Sequence, residues 1–139
     1  MPEDSSTPDW FEVPIRVRYC ETDAMGLLHH ANYLNYFEQA RTELFRAEGG
    51  SYRYMEERGF YFVIVKVEVD YKRPGRFDDD LRVLIRVSKR TAAKIEHEYE
   101  VYFGQLLMNK ARTIVACVDR QGQVQRITDD IMYGDRESN

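Results

Sequence analysis

Apolar residues recur every three or four positions from Asn32 to Gly49, a period that predicts one long amphipathic helix. Its apolar face contains Tyr33, Phe37, Ala40 and Leu44. Asn32 can cap the helix by accepting from a free backbone N–H, and Gly49-Gly50 ends it because glycine tolerates the left-handed conformation. A second, short helix is predicted from about Tyr52 to Arg58, before Gly59.

The remaining pattern is the two-residue alternation of β-strands. It predicts a first strand from Pro14 to Thr22 and a longer one from Phe60 to Tyr71, with the alternating valines on a buried face. Further strands are predicted over Leu81–Val87, Ile95–Phe103, Leu106–Val118 and Val124–Ile127. Turns at Gly104-Gln105 and Gln121-Gly122 predict antiparallel connections.

One long helix followed by consecutive strands predicts an α+β domain in which an antiparallel sheet covers a single helix. We expect this domain to span residues 13–133, with a flexible leader over 1–12 and a tail over 134–139. A single helix covers only part of one sheet face, so the apolar area left over predicts a homo-oligomer.

The charge and composition of the chain limit the kinds of molecule that it is expected to bind and the compartment in which it is expected to work. The 139 residues carry a formal charge of −4, without the basic excess that binding a nucleic-acid backbone requires. No apolar run approaches the roughly 18 residues of a membrane span, and the polar, acidic start is unlike a secretory signal, so we expect a cytoplasmic protein. In a reducing compartment, Cys20 and Cys117 are expected to be buried thiols rather than a disulfide. The 13% aromatic share predicts a subunit interface or an apolar ligand groove.

The candidate chemistry lies between Tyr19 and Tyr33, where a strand ends, a turn carries a carboxylate and the long helix begins. A helix N-terminus offers unpaired backbone N–H groups, which suit a carbonyl oxygen that gains negative charge. Asp23 precedes His30 by seven residues, so a loop can bring its carboxylate near that helix end. This arrangement predicts an acyl-transfer site, with Asp23 as base or nucleophile.

This segment resembles the hotdog-fold acyl-CoA thioesterases of the hydroxybenzoyl-CoA thioesterase superfamily, and most closely the bacterial Tol-Pal-cluster type. The resemblance runs from about Ile15 to Ile127. Its landmarks are Thr22-Asp23-Ala24-Met25-Gly26, His30, Asn32-Tyr33, Phe37-Glu38-Gln39-Ala40-Arg41-Thr42-Glu43, Tyr71-Lys72-Arg73-Pro74-Gly75-Arg76-Phe77-Asp78-Asp79 and Ala116-Cys117-Val118-Asp119. It implies a hotdog fold, two subunits that join their sheets edge to edge, and an active site at their interface.

The resemblance also implies roles for individual residues. Asp23 would attack the thioester carbon or activate water, and the backbone N–H near His30 would polarise the thioester carbonyl. The His30 and Tyr19 side chains would orient the carboxylate or the water. His29 stands where many relatives carry an aromatic residue, and it is a candidate substrate-binding residue together with Tyr33.

Coenzyme A also carries phosphates, for which Lys89 and Arg90 at a strand end are the candidate partners. No metal is expected, because adjacent His side chains diverge and the ligand spacing of zinc sites is missing. The predicted hydrolysis also uses no redox cofactor.

Simpler interpretations stand beside these roles. Without the surrounding motif, Asp23 would more often be a turn residue or helix cap. Tyr19 is expected to be a packed strand aromatic whose hydroxyl reaches the site, and Cys20 an inert thiol buried on a strand. Glu38 is expected to form an ion pair with Arg41, three positions on. His97, which shares a strand face with Ile95 and Tyr99, is expected to belong to the core.

The predicted reaction is hydrolysis of a fatty or aromatic acyl-CoA to the free acid and coenzyme A. A non-catalytic acyl-CoA-binding or scaffolding module remains an alternative, because one fold hosts several functions. A thioesterase acting on acyl carrier protein and a hotdog dehydratase or hydratase are further alternatives. Acyl length, and whether the chain forms a dimer or a tetramer, stay open.

Overall fold

The computed structural model describes residues 10–134. The strands are β1 (Phe11–Arg16), β2 (Phe60–Tyr71), β3 (Asp80–Arg90), β4 (Ile95–Phe103), β5 (Leu106–Asp119) and β6 (Val124–Gln125). The helices are α1 (Asn32–Ala47), α2 (Tyr52–Glu57) and α3 (Asp129–Tyr133), with one turn of 3-10 helix at Tyr19–Glu21.

The strands form one antiparallel sheet in the order β1-β3-β4-β5-β2, and β6 pairs with the end of β5. Helix α1 packs on one face of this sheet, against β1 and β3. The predicted α+β class, with an antiparallel sheet around one long helix, is confirmed.

Two apolar clusters fill the space between α1 and the sheet. The first lies under the N-terminal half of α1 and contains Tyr33, Tyr36, Phe37, Ala40, Val83, Ile85, Tyr99 and Val101. The second lies beyond the C-terminal half of α1 and contains Phe45, Met55, Ile95, Val115, Cys117, Ile127 and Met132. The apolar core therefore follows α1 along its whole length.

The first strand is the clearest error in the predicted elements. It covers Phe11–Arg16 rather than Pro14 to Thr22, so it begins inside the predicted leader. The chain leaves the sheet after Val17 because the Glu21 carboxylate accepts the Arg18 backbone N–H at 2.9 Å and closes the 3-10 turn. Residues 1–9 of the predicted leader and 135–139 of the predicted tail lie outside the described residues. The last strand is also shorter than predicted.

Helix α1 has the predicted start and end but not the predicted cap. Ala31 occupies the capping position without a side-chain hydrogen bond, and the Asn32 amide donates instead to the Glu21 carbonyl oxygen at 3.0 Å. The chain leaves α1 through Gly49 at φ 96° and leaves α2 through Gly59 at φ 92°, as the glycine positions predict.

Strand β2 has the predicted bounds but not the predicted buried face. One of its edges pairs with β5, and no strand among residues 10–134 pairs with the other edge. A bulge between Ile64 and Lys66 also interrupts the alternation. As a result Val63, Ile64, Val65 and Val67 are between 38% and 51% exposed. This apolar edge is surface that a single chain leaves uncovered.

The cysteines differ from the prediction in one respect. Both are free, but only Cys117 is buried, because Cys20 lies in the exposed 3-10 turn and not in a strand. Across the described ranges, the structure contains no helix that is both long and apolar enough to span a bilayer.

Candidate active site

The segment between the 3-10 turn and α1 folds back on itself as a small hairpin, which we call the Asp23 loop (residues 21–30). Its two arms are held by the Asp23 N–H donating to the Leu27 oxygen at 2.8 Å, a bridge between Thr22 and Leu28, and the His29 N–H donating to the Glu21 oxygen at 2.9 Å. The tip turns through Gly26 at φ 78°. Asp23 and His30 are thereby carried by one ordered hairpin.

This loop is fastened to the segment that connects β2 and β3. The Leu28 N–H donates to the Gly75 oxygen at 2.8 Å, and the Phe77 N–H donates to the Gly26 oxygen at 3.2 Å. A Cβ on Gly75 would lie 3.1 Å from the Tyr33 hydroxyl and 3.3 Å from Leu28, so a larger residue would require these side chains to shift by a few tenths of an ångström. The loop is therefore held by a close backbone approach for which glycine leaves room.

Glu21 anchors the base of the Asp23 loop. Its carboxylate is buried and accepts the Tyr36 hydroxyl at 2.6 Å and the Arg18 guanidinium at 3.1 Å. Burial on its own raises the pKa of Glu21, but the hydrogen bonds from Tyr36 and from the Arg18 backbone and side chain outweigh it, so the pKa lies below its ordinary value. Glu21 is thus ionised at neutral pH and ties the loop to α1.

Asp23 uses one carboxylate oxygen locally and leaves the other free. Its Oδ1 accepts from the Met25 N–H at 2.8 Å and the Leu27 N–H at 3.1 Å, which is the turn role expected of an Asp without its motif. The side chain is exposed, and within residues 10–134 Oδ2 has no hydrogen-bond partner. The turn bonds therefore fix the carboxylate and present one oxygen to whatever enters the site.

The start of α1 supplies a second unused group. The carbonyl oxygens of His29, His30 and Ala31 accept the N–H groups of Asn32, Tyr33 and Leu34, and the Ala31 N–H donates to His29 Nδ1 at 3.3 Å. In the part of the chain that the structure describes, the His30 N–H has no acceptor. A donor at a helix N-terminus suits a carbonyl oxygen that becomes negative.

The two histidines do not diverge as predicted. The rings of His29 and His30 stack, with centroids 4.8 Å apart and planes at 17°. Beside them lies Tyr71, which the sequence reasoning did not assign to the site. Its hydroxyl donates to the His30 carbonyl oxygen at 3.1 Å, and its ring packs edge-on against His30. The landmark run at the end of β2 was the signal that could have identified it.

Two predicted site residues occupy other environments. Tyr33 is 2% exposed and belongs to the core, where burial raises its pKa to about 12. Substrate binding by Tyr33 stays a prediction. Tyr19 is 77% exposed and packs edge-on against Phe77 at 5.5 Å, so it is neither in a strand nor packed in the core. It lies beside the Asp23 loop because Phe77 is bonded to Gly26 at the tip of the loop.

Lys89 and Arg90 lie far from the Asp23 loop within one chain. The loop contacts the segment just before β3, whereas these two residues end that strand, about 33 Å away at the usual strand rise. Arg90 pairs there with Asp129 at 3.0 Å. A single chain therefore does not bring these two cations and Asp23 together.

The predicted pair between Glu38 and Arg41 is absent from the described residues, because Arg41 turns into the core and donates to the Tyr99 hydroxyl at 2.9 Å. His97 is in the core, as predicted. Within the same described range, no three His, Cys, Asp or Glu side chains are grouped so that they could hold a metal ion.

Comparison with known proteins agrees with this geometry. Residues 17–134 match the thioesterase-like superfamily. The chain is 39% identical over 110 residues to the acyl-CoA thioesterase YbgC of Haemophilus influenzae, covering 78% of this chain and 81% of that protein. It is 30% identical over 118 residues to the 1,4-dihydroxy-2-naphthoyl-CoA hydrolase of Nostoc punctiforme, covering 84% and 80%.

Solved structures lead to the same family. The DHNA-CoA thioesterase of Staphylococcus aureus superimposes with a TM-score of 0.82 at 28% identity, covering 87% of this chain and 81% of that one. The hotdog arrangement that the sequence resemblance implies is therefore confirmed, and this chain belongs to the thioesterase-like superfamily.

Proposed function

We propose that this protein hydrolyses acyl-CoA thioesters to the free acid and coenzyme A, with Asp23 as the catalytic carboxylate. The observation that carries the proposal is the pair of unused groups in one loop, the Asp23 Oδ2 and the His30 N–H. Relatives named as acyl-CoA and naphthoyl-CoA hydrolases support the same reaction. Such a reaction belongs in the cytoplasm, where CoA thioesters are made and used.

The His30 N–H binds the thioester carbonyl oxygen and stabilises the negative charge that develops on it. Asp23 then acts by one of two routes. As a base it takes a proton from water, the new C–O bond forms at the thioester carbon, and the C–S bond breaks to release the thiolate. As a nucleophile it forms an acyl-aspartyl anhydride, releases the thiolate, and is regenerated by water. In heavy-oxygen water limited to one turnover, heavy oxygen found in Asp23 by mass spectrometry identifies the nucleophile route, because water that opens the anhydride at the aspartyl carbonyl leaves its oxygen in the protein, whereas the base route puts it only in the acid released.

The closing experiment for the function is the variant Asp23→Asn. Loss of a catalytic base or nucleophile lowers kcat by about a hundredfold or more. Asp78→Asn is a matched control, since Asp78 is also an exposed carboxylate in a turn, and its φ of 72° is one that Asn tolerates. If Asp23→Asn keeps the wild-type rate on a panel of acyl-CoAs, the mechanism is wrong. If the wild type binds acyl-CoA but releases no thiol, the protein is a binding module.

The exposed edge of β2 supports self-association as a dimer. Its four half-exposed apolar residues form a strand edge that a second copy can pair with, and such a contact obeys twofold symmetry. When two copies of β2 pair antiparallel, the second chain is inverted relative to the first. The end of β3 that carries Arg90 in the second chain then lies at the same end of the joined sheet as the Asp23 loop of the first chain. In this dimer Lys89 and Arg90 of one subunit bind the phosphates of the coenzyme A in the site of the other.

A mixed dimer tests this arrangement. Asp23→Asn and the double variant Lys89→Ala/Arg90→Ala are each expected to be impaired, the first in kcat and the second in KM. Unfolding and refolding them together forms dimers in which one site has all wild-type groups, so about a quarter of the wild-type activity at low acyl-CoA returns. No recovery would refute the shared site. The rates of hydrolysis of acyl-acyl-carrier-protein and acyl-CoA, measured side by side, decide which carrier Lys89 and Arg90 favour.

A further inference from the structure

Arg41 is a buried cation without a counter-ion. It is 9% exposed on the inner face of α1, and its guanidinium donates to the Tyr99 hydroxyl at 2.9 Å. That hydroxyl is shared with the Thr113 hydroxyl at 2.5 Å. No carboxylate of residues 10–134 forms an ion pair with Arg41. Burying a charge that neutral hydroxyls alone satisfy is costly, and proteins accept the cost mainly where the charge has a use.

His97 lines the same space and also has an unused polar atom. It is 8% exposed on β4, and its Nδ1 has no hydrogen-bond partner among the described residues. Burial and the nearby Arg41 lower its pKa to about 4, so the imidazole is neutral at physiological pH and has one N–H to donate. In the described part of the chain, Arg41, which has no counter-ion, and His97, whose Nδ1 has no hydrogen-bond partner, thus line the same space.

That region is a cavity of about 170 Å³ beside the C-terminal half of α1. Its walls are mainly apolar and aromatic and include Phe45, Tyr52, Phe62, Ile95, Val115 and Met132. A cavity of about 150 Å³ holds a benzene ring, so this one accepts the end of an acyl chain. At its rim the other ionic groups are engaged elsewhere, because Arg90 pairs with Asp129 and Glu48 lies 3.4 Å from the Tyr133 hydroxyl.

The cavity adjoins a groove that runs along α1. This groove, of about 280 Å³, lies between α1 and β2 and is lined by Leu34, Asn35, Phe37, Glu38, Arg41, Ile64, Val67 and Thr113. It begins within one turn of the start of α1. Arg41 lines both spaces, so it stands where the groove meets the cavity. From His30 to Arg41 the helix rises about 16 Å, the length of a medium acyl chain.

We propose that Arg41 and His97 bind a carboxylate at the far end of the acyl chain, so that the preferred substrates are ω-carboxyacyl-CoA thioesters, the mono-CoA esters of dicarboxylic acids. This rests on the proposed function, because it takes the thioester to lie at the Asp23 loop. The guanidinium and the imidazole N–H supply charge-assisted donors to the carboxylate. The apolar walls pack the methylene chain, and a chain that ends in a methyl group leaves Arg41 without a counter-ion.

The test compares lauroyl-CoA with dodecanedioyl-CoA, which has the same length but a carboxylate in place of the terminal methyl. A charge-assisted hydrogen bond in a buried site predicts a kcat/KM about tenfold or more higher for dodecanedioyl-CoA in the wild type. In Arg41→Met, which keeps the apolar stem and removes the charge, that ratio falls to about one or below. Arg41→Lys keeps a cation and is expected to retain part of the preference.

Two further measurements test the inference. If Arg41→Met does not fold by circular dichroism, His97→Phe, which keeps a ring but has no N–H to donate, replaces it, and an unchanged preference in His97→Phe refutes the role of the imidazole. If ω-hydroxylauroyl-CoA is preferred over lauroyl-CoA as strongly as dodecanedioyl-CoA is, the site binds a neutral hydroxyl equally well, and the inference of a carboxylate is wrong.

The wild type separates this inference from the proposed function. Equal hydrolysis of lauroyl-CoA and dodecanedioyl-CoA overturns the inference and leaves the function standing. If neither thioester is hydrolysed, the function fails, and calorimetric titration with the two intact thioesters then decides the inference. Tighter binding of dodecanedioyl-CoA than of lauroyl-CoA that is lost in Arg41→Met supports it, and equal binding refutes it.

Discussion

The free energy of unfolding should fall steeply as the pH drops from 6.5 toward 4, and His97 should cause much of that fall. His97 is buried, and burial, reinforced by the charge of Arg41, lowers its pKa from 6.5 to about 4. The groups packed around it are the Tyr99 ring, 6.3 Å away, Thr113 on the neighbouring β5, and Arg41 on α1. None of them is an anion that would favour the imidazolium.

The size and sign of the effect follow from linkage. The unfolded chain takes up a proton at His97 near pH 6.5, whereas the folded chain takes it up only near pH 4, a difference of about 2.5. At 1.36 kcal/mol for each pH unit, this amounts to about 3 kcal/mol. Because the unfolded state binds more protons in this interval, His97 contributes fully above pH 6.5 and loses its contribution as the pH falls to about 4.

Urea unfolding followed by circular dichroism, at fixed protein concentration, measures this dependence. His97→Gln keeps a neutral polar side chain and removes the titration, so its free energy of unfolding should fall by about 3 kcal/mol less than that of the wild type over the same interval. Gln105→Ala, at an exposed turn residue that does not titrate, should follow the wild type. Equal pH slopes for wild type and His97→Gln would refute the reasoning, since carboxylates such as Glu21 titrate in both proteins.

Three further perturbations test the loop and the core. Glu21→Gln removes a buried charge that accepts bonds from a tyrosine and an arginine, so it should lower the unfolding free energy by about 1.5–3 kcal/mol in urea. The control Glu12→Gln, at an exposed glutamate, should change the unfolding free energy by less than about 0.5 kcal/mol. If the two variants have equal effects, Glu21 does not anchor the Asp23 loop. Tyr71→Phe removes the hydroxyl bonded to the carbonyl at the start of α1 and should lower kcat several-fold in steady-state assays with little effect on Tm; an unchanged kcat would remove Tyr71 from the site. Gly50→Ala should cost about 1–3 kcal/mol in urea unfolding because the added Cβ meets the Phe45 ring, and full stability would mean that the ring moves freely.

Periodicity predicted the long elements well because burial repeats along them. The bounds of β2 and β4 and the start of α1 agree with the sequence pattern. It failed where one contact overrides the pattern. The alternation through Val17 and Tyr19 looks like strand, yet the Glu21 carboxylate turns the chain out of the sheet, and no periodicity encodes that bond.

For the candidate site, the sequence identified the loop but not each environment. The placement of Asp23 and His30 in one loop before α1 was predictable because a turn carboxylate and a helix start are local features. Tyr33 was predicted both on the apolar face of α1 and as a substrate-binding residue, because the first turn of a helix has a core face and a site face, and only packing shows that it occupies the core face. The site contact of Tyr71 depends on the end of β2 reaching the start of α1, a long-range contact of the fold.

The uncovered edge of β2 connects stability, assembly and catalysis. An exposed apolar edge strand invites pairing with other chains, and proteins usually protect it with proline, inward charges or a covering element. In β2 only Lys66 interrupts the exposed apolar run from Val63 to Val67, and the bulge bends the strand. In the dimer proposed above, a partner copy covers this edge and also carries its Lys89 and Arg90 to the end of the joined sheet where Asp23 lies. On that proposal, selection for a fold that does not aggregate and selection for a complete acyl-CoA site act on the same strand.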